Sequence, residues 1–348
     1  MAVADTAHQE HHGHGEFIAH HFEDAEQQFQ SGKLGIWTFL VTEVLFFSGL
    51  FVAYTLWRVN HPEIFQQAHV FLDKFLGGIN TVVLLFSSLT MAMAVRSAQL
   101  EKHKATAFYT LITMVCAAMF LGVKAIEYSH KWDQGILVRS AFDFTTAHAA
   151  PKMWLAQQLA VSDWLVVLSA IPAITLVGFI AAAVVMTMMN KPILSKFFVA
   201  LAITVGGYFL GAVGGQVYMN SMESGKESHA SAAVQPLLLH ADEKKDTAHA
   251  DEQHGSTAAK SHKKDPHQPD PDSLDRDVGI FFSIYYCMTG LHAFHILGGI
   301  AFLAWIYLRS LMCHWRSDYF GPVEYVGLYW HLVDLIWIYL FPLLYLID

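Results

Sequence analysis

Long apolar stretches alternate with polar segments along most of this 348-residue chain. An apolar helix of about twenty residues rises about 30 Å, which is enough to cross the hydrocarbon core of a bilayer. Seven stretches reach this length, at about 34–57, 75–95, 105–128, 164–188, 197–219, 278–308 and 323–347. The pattern therefore predicts an all-α fold, a polytopic transmembrane helix bundle with about seven spans.

Two polar regions interrupt this pattern, a His-rich N-terminal tail at 1–33 and a long segment at 220–276. The long segment is rich in Ala, His, Lys, Asp, Glu and Ser, and such a composition cannot bury enough apolar surface to fold alone. We therefore predict a disordered loop, or one ordered by a partner. The tail lacks the basic start and apolar centre of a cleaved signal peptide.

The fourth and fifth predicted spans contain residues with specific packing consequences. Pro172 lies inside the fourth span, where a packed bundle can tolerate it. Gly207, Gly211 and Gly215 recur every fourth residue in the fifth span. This spacing places them on one face of a helix, so we expect a neighbouring helix to approach closely there.

Composition and charge agree with a membrane protein. The chain is 54% hydrophobic and only 15% charged, which is little charge for a soluble surface of this size. Its formal net charge of -9 comes largely from the polar tail and loop, and it has no basic stripe that would predict a nucleic-acid partner.

Basic residues in the short loops favour a cytoplasmic N-terminus, with the C-terminus on the other side of the membrane. On the N-terminal side these residues are Lys33, Arg96, Lys102, Lys104, Lys191, Lys196, Arg309 and Arg316. On the opposite side they are Arg58, Lys74, Lys131, Arg139 and Lys152.

Motifs of redox or hydrolytic chemistry do not stand out in the sequence. Cys116, Cys287 and Cys313 are far apart and form no CxxC or CxxCH, which excludes thiolate iron–sulfur, zinc-ribbon and c-type haem sites and gives no disulfide framework. No HExxH, phosphate loop or nucleophile-with-base arrangement occurs. We expect this chain to carry no catalytic or redox centre of its own.

Ionisable residues inside the spans are the main candidates for function, because a charge at bilayer depth is costly. Glu43 is the only charge of the first span; a central carboxylate costs about 3 kcal/mol there. We expect Glu43 to have a partner and favour a functional role, because no neighbour in its own span neutralises it.

Three further pairs of polar residues lie three positions apart on one helical face, where they can meet. They are Lys124 with Glu127, His292 with His295, and His331 with Asp334. We expect Lys124 to pair with Glu127, and His331 and Asp334 to pair with each other or across helices. Each pair is compatible either with a role in function or with a polar clamp that fixes helix packing.

Two other classes of function remain open from the residues alone. One is a b-type cytochrome, in which His292 or His295 and His331 would ligate haem across the bundle. The other is a proton-coupled or divalent-metal transporter, suggested by the intramembrane groups and by histidines in the loop. These are His229, His240, His249, His254, His262 and His267.

Five short motifs, in order and each at a span or span end, resemble one known family. Residues 34–47 read LGIWTFLVTEVLFF, Asn80-Thr81 precedes Ser87-Ser88, residues 124–128 read KAIEY, residues 289–295 read TGLHAFH and residues 329–337 read YWHLVDLIW. Together with the polar lead-in at 20–28, they resemble the compact bacterial form of cytochrome c oxidase subunit III. The resemblance covers roughly residues 20–130 and 277–348.

The resemblance implies a non-catalytic subunit of a haem–copper terminal oxidase, which transfers electrons from cytochrome c to oxygen in aerobic respiration and pumps protons. The expected partners are catalytic subunit I, subunit II and membrane phospholipid, and haem and copper are expected in the partner subunits. The expected location is the bacterial inner membrane. The subunit is thought to support proton uptake and the stability of the catalytic subunit. The site residues carried over are Glu43, Lys124, Glu127, His292, His295, Glu324, His331 and Asp334.

The chain departs from this family in two places. Longer members have two helices before the carboxylate-bearing span, which form a lipid-holding cleft, whereas this chain has only the tail at 1–33. Residues 34–131 would then hold the first three family helices, and 277–348 the last two. Between them lie an inserted segment at 132–219 with two spans and the loop at 220–276.

Overall fold

The computed structural model describes residues 22–68, 72–133, 163–243, 271–316 and 319–347, with side chains except at residues 67, 163 and 223–278. Most of the predicted N-terminal tail, residues 244–270 of the predicted loop and the side chains of the loop histidines lie outside these described parts.

Eight α-helices make up the described residues, and seven of them are long and apolar enough to span a membrane. They are α1 (Ala25–Asn60), the short α2 (Pro62–Ala68), α3 (Lys74–Gln99), α4 (His103–Asp133), α5 (Asp163–Met188), α6 (Pro192–Glu243), α7 (Pro271–Leu311) and α8 (Gly321–Tyr345). The predicted all-α bundle with about seven spans is confirmed, and Pro172 lies within continuous helix α5.

Local sequence signals set several helix ends. The Asp24 carboxylate accepts a hydrogen bond from the Gln27 backbone N–H at the start of α1, and Asp73 caps α3 in the same way. Asn190, with φ of 58°, makes the left-handed turn between α5 and α6. The short connections α3–α4, α5–α6 and α7–α8 all lie at the end of the bundle where α1 begins.

The core lies between α3, α4, α7 and α8 and is rich in aromatic side chains, with Phe120, Trp330 and Trp337 fully buried. By contrast, α1 touches the bundle along one narrow stripe. Its buried residues Leu40, Phe47 and Tyr54 recur every seventh position, which is the spacing of a single seam along a helix.

The inserted hairpin of α5 and α6 is an integral part of the bundle. A Cβ atom on Gly207 would lie 2.8 Å from the Val115 carbonyl oxygen, and one on Gly211 would collide with the Met119 carbonyl oxygen. The predicted close approach at these glycines is therefore confirmed, and the neighbour is α4. Further along α6, Tyr218 stacks on Phe75 with ring centroids 4.6 Å apart.

The helices extend further into the predicted loop than its composition indicated. α6 continues to Glu243 rather than ending near 219, and α7 begins at Pro271. Residues 220–243 include four Ala, three Leu and three Glu, and these strong helix formers allow a helix to continue past the end of a span.

Candidate functional site

Glu43 points into the bundle because of its position in the apolar seam of α1. It lies three residues after Leu40 and four before Phe47, so it occupies the inward face of the same stripe. The seventh-residue repeat of this seam is a sequence signal that would have located the Glu43 side chain.

The partner of Glu43 is His295 on α7, whose Nε2 lies 2.9 Å from Glu43 Oε2. The other ring nitrogen, Nδ1, is 2.8 Å from the Leu291 carbonyl oxygen. A carbonyl can only accept, so Nδ1 carries a proton. The contact between Glu43 and Nε2 therefore holds one further proton, either on the carboxyl group or on the imidazole.

The surroundings fix the His295 ring but leave the pair partly open. Phe47 packs edge-on against the ring at 5.1 Å between centroids, and the Tyr329 hydroxyl donates to the His295 carbonyl oxygen at 3.0 Å. The side chains of His295 and Glu43 are 13% and 18% exposed. The pair thus has ordered neighbours on the bundle side and some access from the α1 side.

His331 and Asp334 do not pair with each other; each meets a serine on α3. The Ser88 hydroxyl lies 2.6 Å from His331 Nδ1, and Ser87 Oγ lies 3.5 Å from Asp334 Oδ2. Ser87 in turn accepts a hydrogen bond from Trp330 Nε1 at 3.1 Å. Of the two alternatives that the sequence left open for this pair, interhelical pairing is therefore the one found.

Lys124 and Glu127 form the predicted ion pair, with Nζ and Oε2 2.8 Å apart. The carboxylate also accepts from Lys131 Nζ at 2.7 Å and from the hydroxyls of Tyr285 and Tyr345 at 2.7 and 2.6 Å. Both lysines and Glu127 are nearly fully buried. Lys131 was predicted only as a loop charge, but its i,i+4 spacing to Glu127 is a sequence signal that the two can pair. The two tyrosines come from α7 and α8, so no spacing within α4 predicts them.

His292 is fully buried and packs against rings, 5.4 Å from Phe120 and 5.3 Å from Trp337 between centroids. Within the described residues, neither of its ring nitrogens has a hydrogen-bond partner. Of the other two histidines in the haem alternative, His295 has both ring nitrogens in hydrogen-bond contacts, with Glu43 and the Leu291 carbonyl, and His331 has its Nδ1 in contact with Ser88.

Glu324 is a near-surface residue at the start of α8. Its carboxylate lies 3.1 Å from Lys33 Nζ at the beginning of the first span. Over the described ranges no group of three or more His, Cys, Asp or Glu residues converges as a metal site would require. The roles of the predicted site residues remain predictions.

Comparison with known proteins finds similarity in the C-terminal part of the chain. Residues 273–348 match the family model described as cytochrome c oxidase subunit III. Similar relatives include the cytochrome c oxidase subunit 3 of Dugong dugon, 37% identical over 67 residues, and those of Danio rerio and Homo sapiens, each 36% identical over 67 residues.

Each of these alignments covers 19% of this chain and 26% of the relative, so the chain spans about a quarter of the length of the curated relatives it matches. No solved structure matches. The matched segment contains His292, His295, Glu324, His331 and Asp334, whereas the motifs of the first three spans lie outside it. The resemblance to the cytochrome c oxidase subunit III family is therefore confirmed, over residues 273–348.

Proposed function

We propose that this chain is the non-catalytic subunit III of a haem–copper terminal oxidase, in which electrons pass from cytochrome c to oxygen and protons are pumped. The family match over α7 and α8 supports this assignment. Catalytic subunit I and subunit II are the partners it would have, and they would hold the haem and copper. The chain would lie in the bacterial inner membrane, and the bias of basic residues supports a cytoplasmic N-terminus.

The observation that supports a role in proton uptake is the contact between Glu43 and His295. With Nδ1 held by the Leu291 carbonyl, the 2.9 Å contact shares one proton between a carboxyl and an imidazole. The pair has no net charge either as carboxylate with imidazolium or as neutral carboxyl with neutral imidazole. The proton can therefore shift between Glu43 and His295 without leaving an unpaired ion in the membrane. A partly exposed pair of this kind is suited to receive protons and pass them on.

Purification from membranes tests the assignment to the complex. We expect a tagged full-length chain to co-purify with a large subunit that contains haem and copper, and the isolated chain to show no Soret band. Stoichiometric haem in the isolated chain would contradict the proposal. Binding of divalent metal or proton-coupled metal transport by the chain alone would favour the transporter.

The substitution Glu43→Gln tests the proton role separately. The glutamine amide can still donate to His295 Nε2, so we expect assembly with the partner subunits to be retained while proton uptake slows or the enzyme inactivates sooner during turnover. Thr42→Val is a matched control, because the Thr42 hydroxyl bonds only the Phe39 carbonyl of its own helix. Loss of the whole complex in Glu43→Gln would instead assign Glu43 to helix packing.

We also propose that the inserted hairpin covers the flank of α4 and presents its outer face to phospholipid or to an additional subunit. Ile171, Ile174 and Val177 of α5 are largely exposed and apolar, which supports this orientation. Deletion of residues 132–276 with normal assembly and activity would refute it.

A further inference from the structure

A cavity of about 330 Å³ lies between α3 and α8, at the end of the bundle where α1 begins. Arg96, Gln99 and Glu324 line its outer part, Gly327 lines its wall, and His331 lines its inner part. A cavity of this size, with both polar and apolar walls, has room for several water molecules. From Glu324 to His331 the cavity follows about 10 Å of α8, at 1.5 Å per residue.

Polar side chains continue the line inward from the cavity. His331 Nδ1 lies 2.6 Å from Ser88 Oγ, and the neighbouring Ser87 Oγ lies 3.5 Å from Asp334 Oδ2. Asp334 lies one helical turn beyond His331 and is 2% exposed. Its Oδ1 atom has no hydrogen-bond partner within the described residues.

The groups that face Asp334 do not neutralise a negative charge. They are Ser87 and Ser88 from α3, Cys116 from α4 and His331 from its own helix. In the part of the chain that the structure describes, no ion pair includes Asp334. An unpaired carboxylate buried at this depth is costly, whereas a neutral carboxyl group is compatible with these neighbours.

The row of polar side chains that runs from His331 through Ser88 ends at Asp334, away from the cavity. One turn further along α8, the ring of Trp337 packs against Phe120 with centroids 4.8 Å apart, and Trp337 Nε1 donates to Thr81. These rings separate Asp334 from the buried lysines near the opposite end of the bundle. The polar line is therefore open at one end and closed at the other.

We propose that Asp334 is a second proton-binding site of this chain, which exchanges its proton with the aqueous phase through the α3–α8 cavity. This inference does not depend on the assignment to an oxidase. In the exchange, a water-borne proton binds the free ring nitrogen of His331, and His331 Nδ1 gives its proton to the Ser88 oxygen. The Ser88 hydroxyl proton passes to the carboxylate, and the reverse steps return it to water.

Infrared spectroscopy of the full-length protein in bilayers tests this proposal, because a protonated carboxyl group has a separate C=O stretch. We expect a carboxylic-acid band that shifts when H2O is replaced by D2O, is lost in Asp334→Asn and persists in Glu43→Gln. Asp334→Glu, which keeps an acid at the site, is expected to keep a band at a shifted position. A band unchanged in Asp334→Asn would refute the site.

Access through the cavity is tested by the rate of deuterium exchange of the same band. Ala92 lines the cavity, so Ala92→Phe is expected to slow the exchange, and Ser88→Ala is expected to slow it by breaking the relay. Met93→Phe is the matched control, since the neighbouring Met93 is 42% exposed and does not line the cavity. Equal exchange rates in Ala92→Phe and Met93→Phe would refute the cavity as the route.

Discussion

Replacing Glu127 by glutamine is the most direct test of how the buried charges of α4 contribute to stability. In the folded protein this carboxylate accepts from Lys124, Lys131, Tyr285 and Tyr345, all at 2.6–2.8 Å. The amide of Glu127→Gln has nearly the same shape but no charge. The substitution therefore leaves two buried ammonium groups facing one neutral carbonyl oxygen.

The expected loss of folding free energy follows from this geometry. Removing one partner of a buried ion pair costs about 3–5 kcal/mol, because the other charge stays buried. Here one carboxylate serves two lysines, so we expect the upper part of this range. Lys131→Met is the matched control: it removes one charge-assisted hydrogen bond, worth about 1.5–3 kcal/mol, and keeps Lys124 and Glu127 paired at 2.8 Å.

The free energy of unfolding of both variants can be measured on the full chain in bicelles, with steric trapping used to monitor reversible unfolding. At 1.4 kcal/mol per factor of ten, a loss in the upper part of this range should lower the folding equilibrium constant of Glu127→Gln by roughly three to three and a half powers of ten. The double variant Glu127→Gln/Lys131→Met should lose less than the sum of the single losses, since one stranded charge is removed. A loss below about 0.5 kcal/mol in Glu127→Gln, the scale of ordinary surface substitutions, would refute the reasoning.

Two substitutions with smaller expected losses of folding free energy can be measured by the same method. Gly211→Leu should destabilise the chain by about 1–3 kcal/mol through overpacking, because the new side chain would meet the Met119 carbonyl. Gly214→Leu is the control and should be nearly neutral, because no atom lies within 4 Å of a Cβ added there. Lys33→Ala should cost only about 0.2–1 kcal/mol, as is usual for near-surface ion pairs, because its contact with Glu324 joins side chains that are 34% and 21% exposed. Equal losses in the two glycine variants, or a loss of several kcal/mol in Lys33→Ala, would contradict these expectations.

The features that the sequence predicts well are those fixed by neighbours along the chain. Apolar length determines the seven spans, and the i,i+3 spacing of Lys124 and Glu127 brings them together in any regular helix. The four-residue spacing of Gly207 and Gly211 likewise predicts a close helix contact, which is found at α4. Each of these predictions requires only the geometry of one helix.

The features that the sequence does not predict depend on how helices are placed against each other. Glu43 and His295 are separated by 252 positions, and nothing in either span alone specifies their contact. His331 and Asp334 share a helical face, yet Ser88 and Ser87 on α3 provide their partners. Such contacts follow from the rotation and depth of each helix, which the packing of all the surrounding side chains determines.

The cluster at Lys124 and the pair at Glu43 differ in how far their side chains are exposed. Lys124 and Glu127 are 5% and 3% exposed, and the Glu127 carboxylate also accepts from Lys131 and from tyrosines of α7 and α8. A clamp between α4, α7 and α8 is consistent with these contacts. Glu43 and His295 are less buried, at 18% and 13% exposed, and share one proton across their contact. We therefore propose helix packing as the role of the cluster at Lys124 and proton exchange as the role of the pair at Glu43.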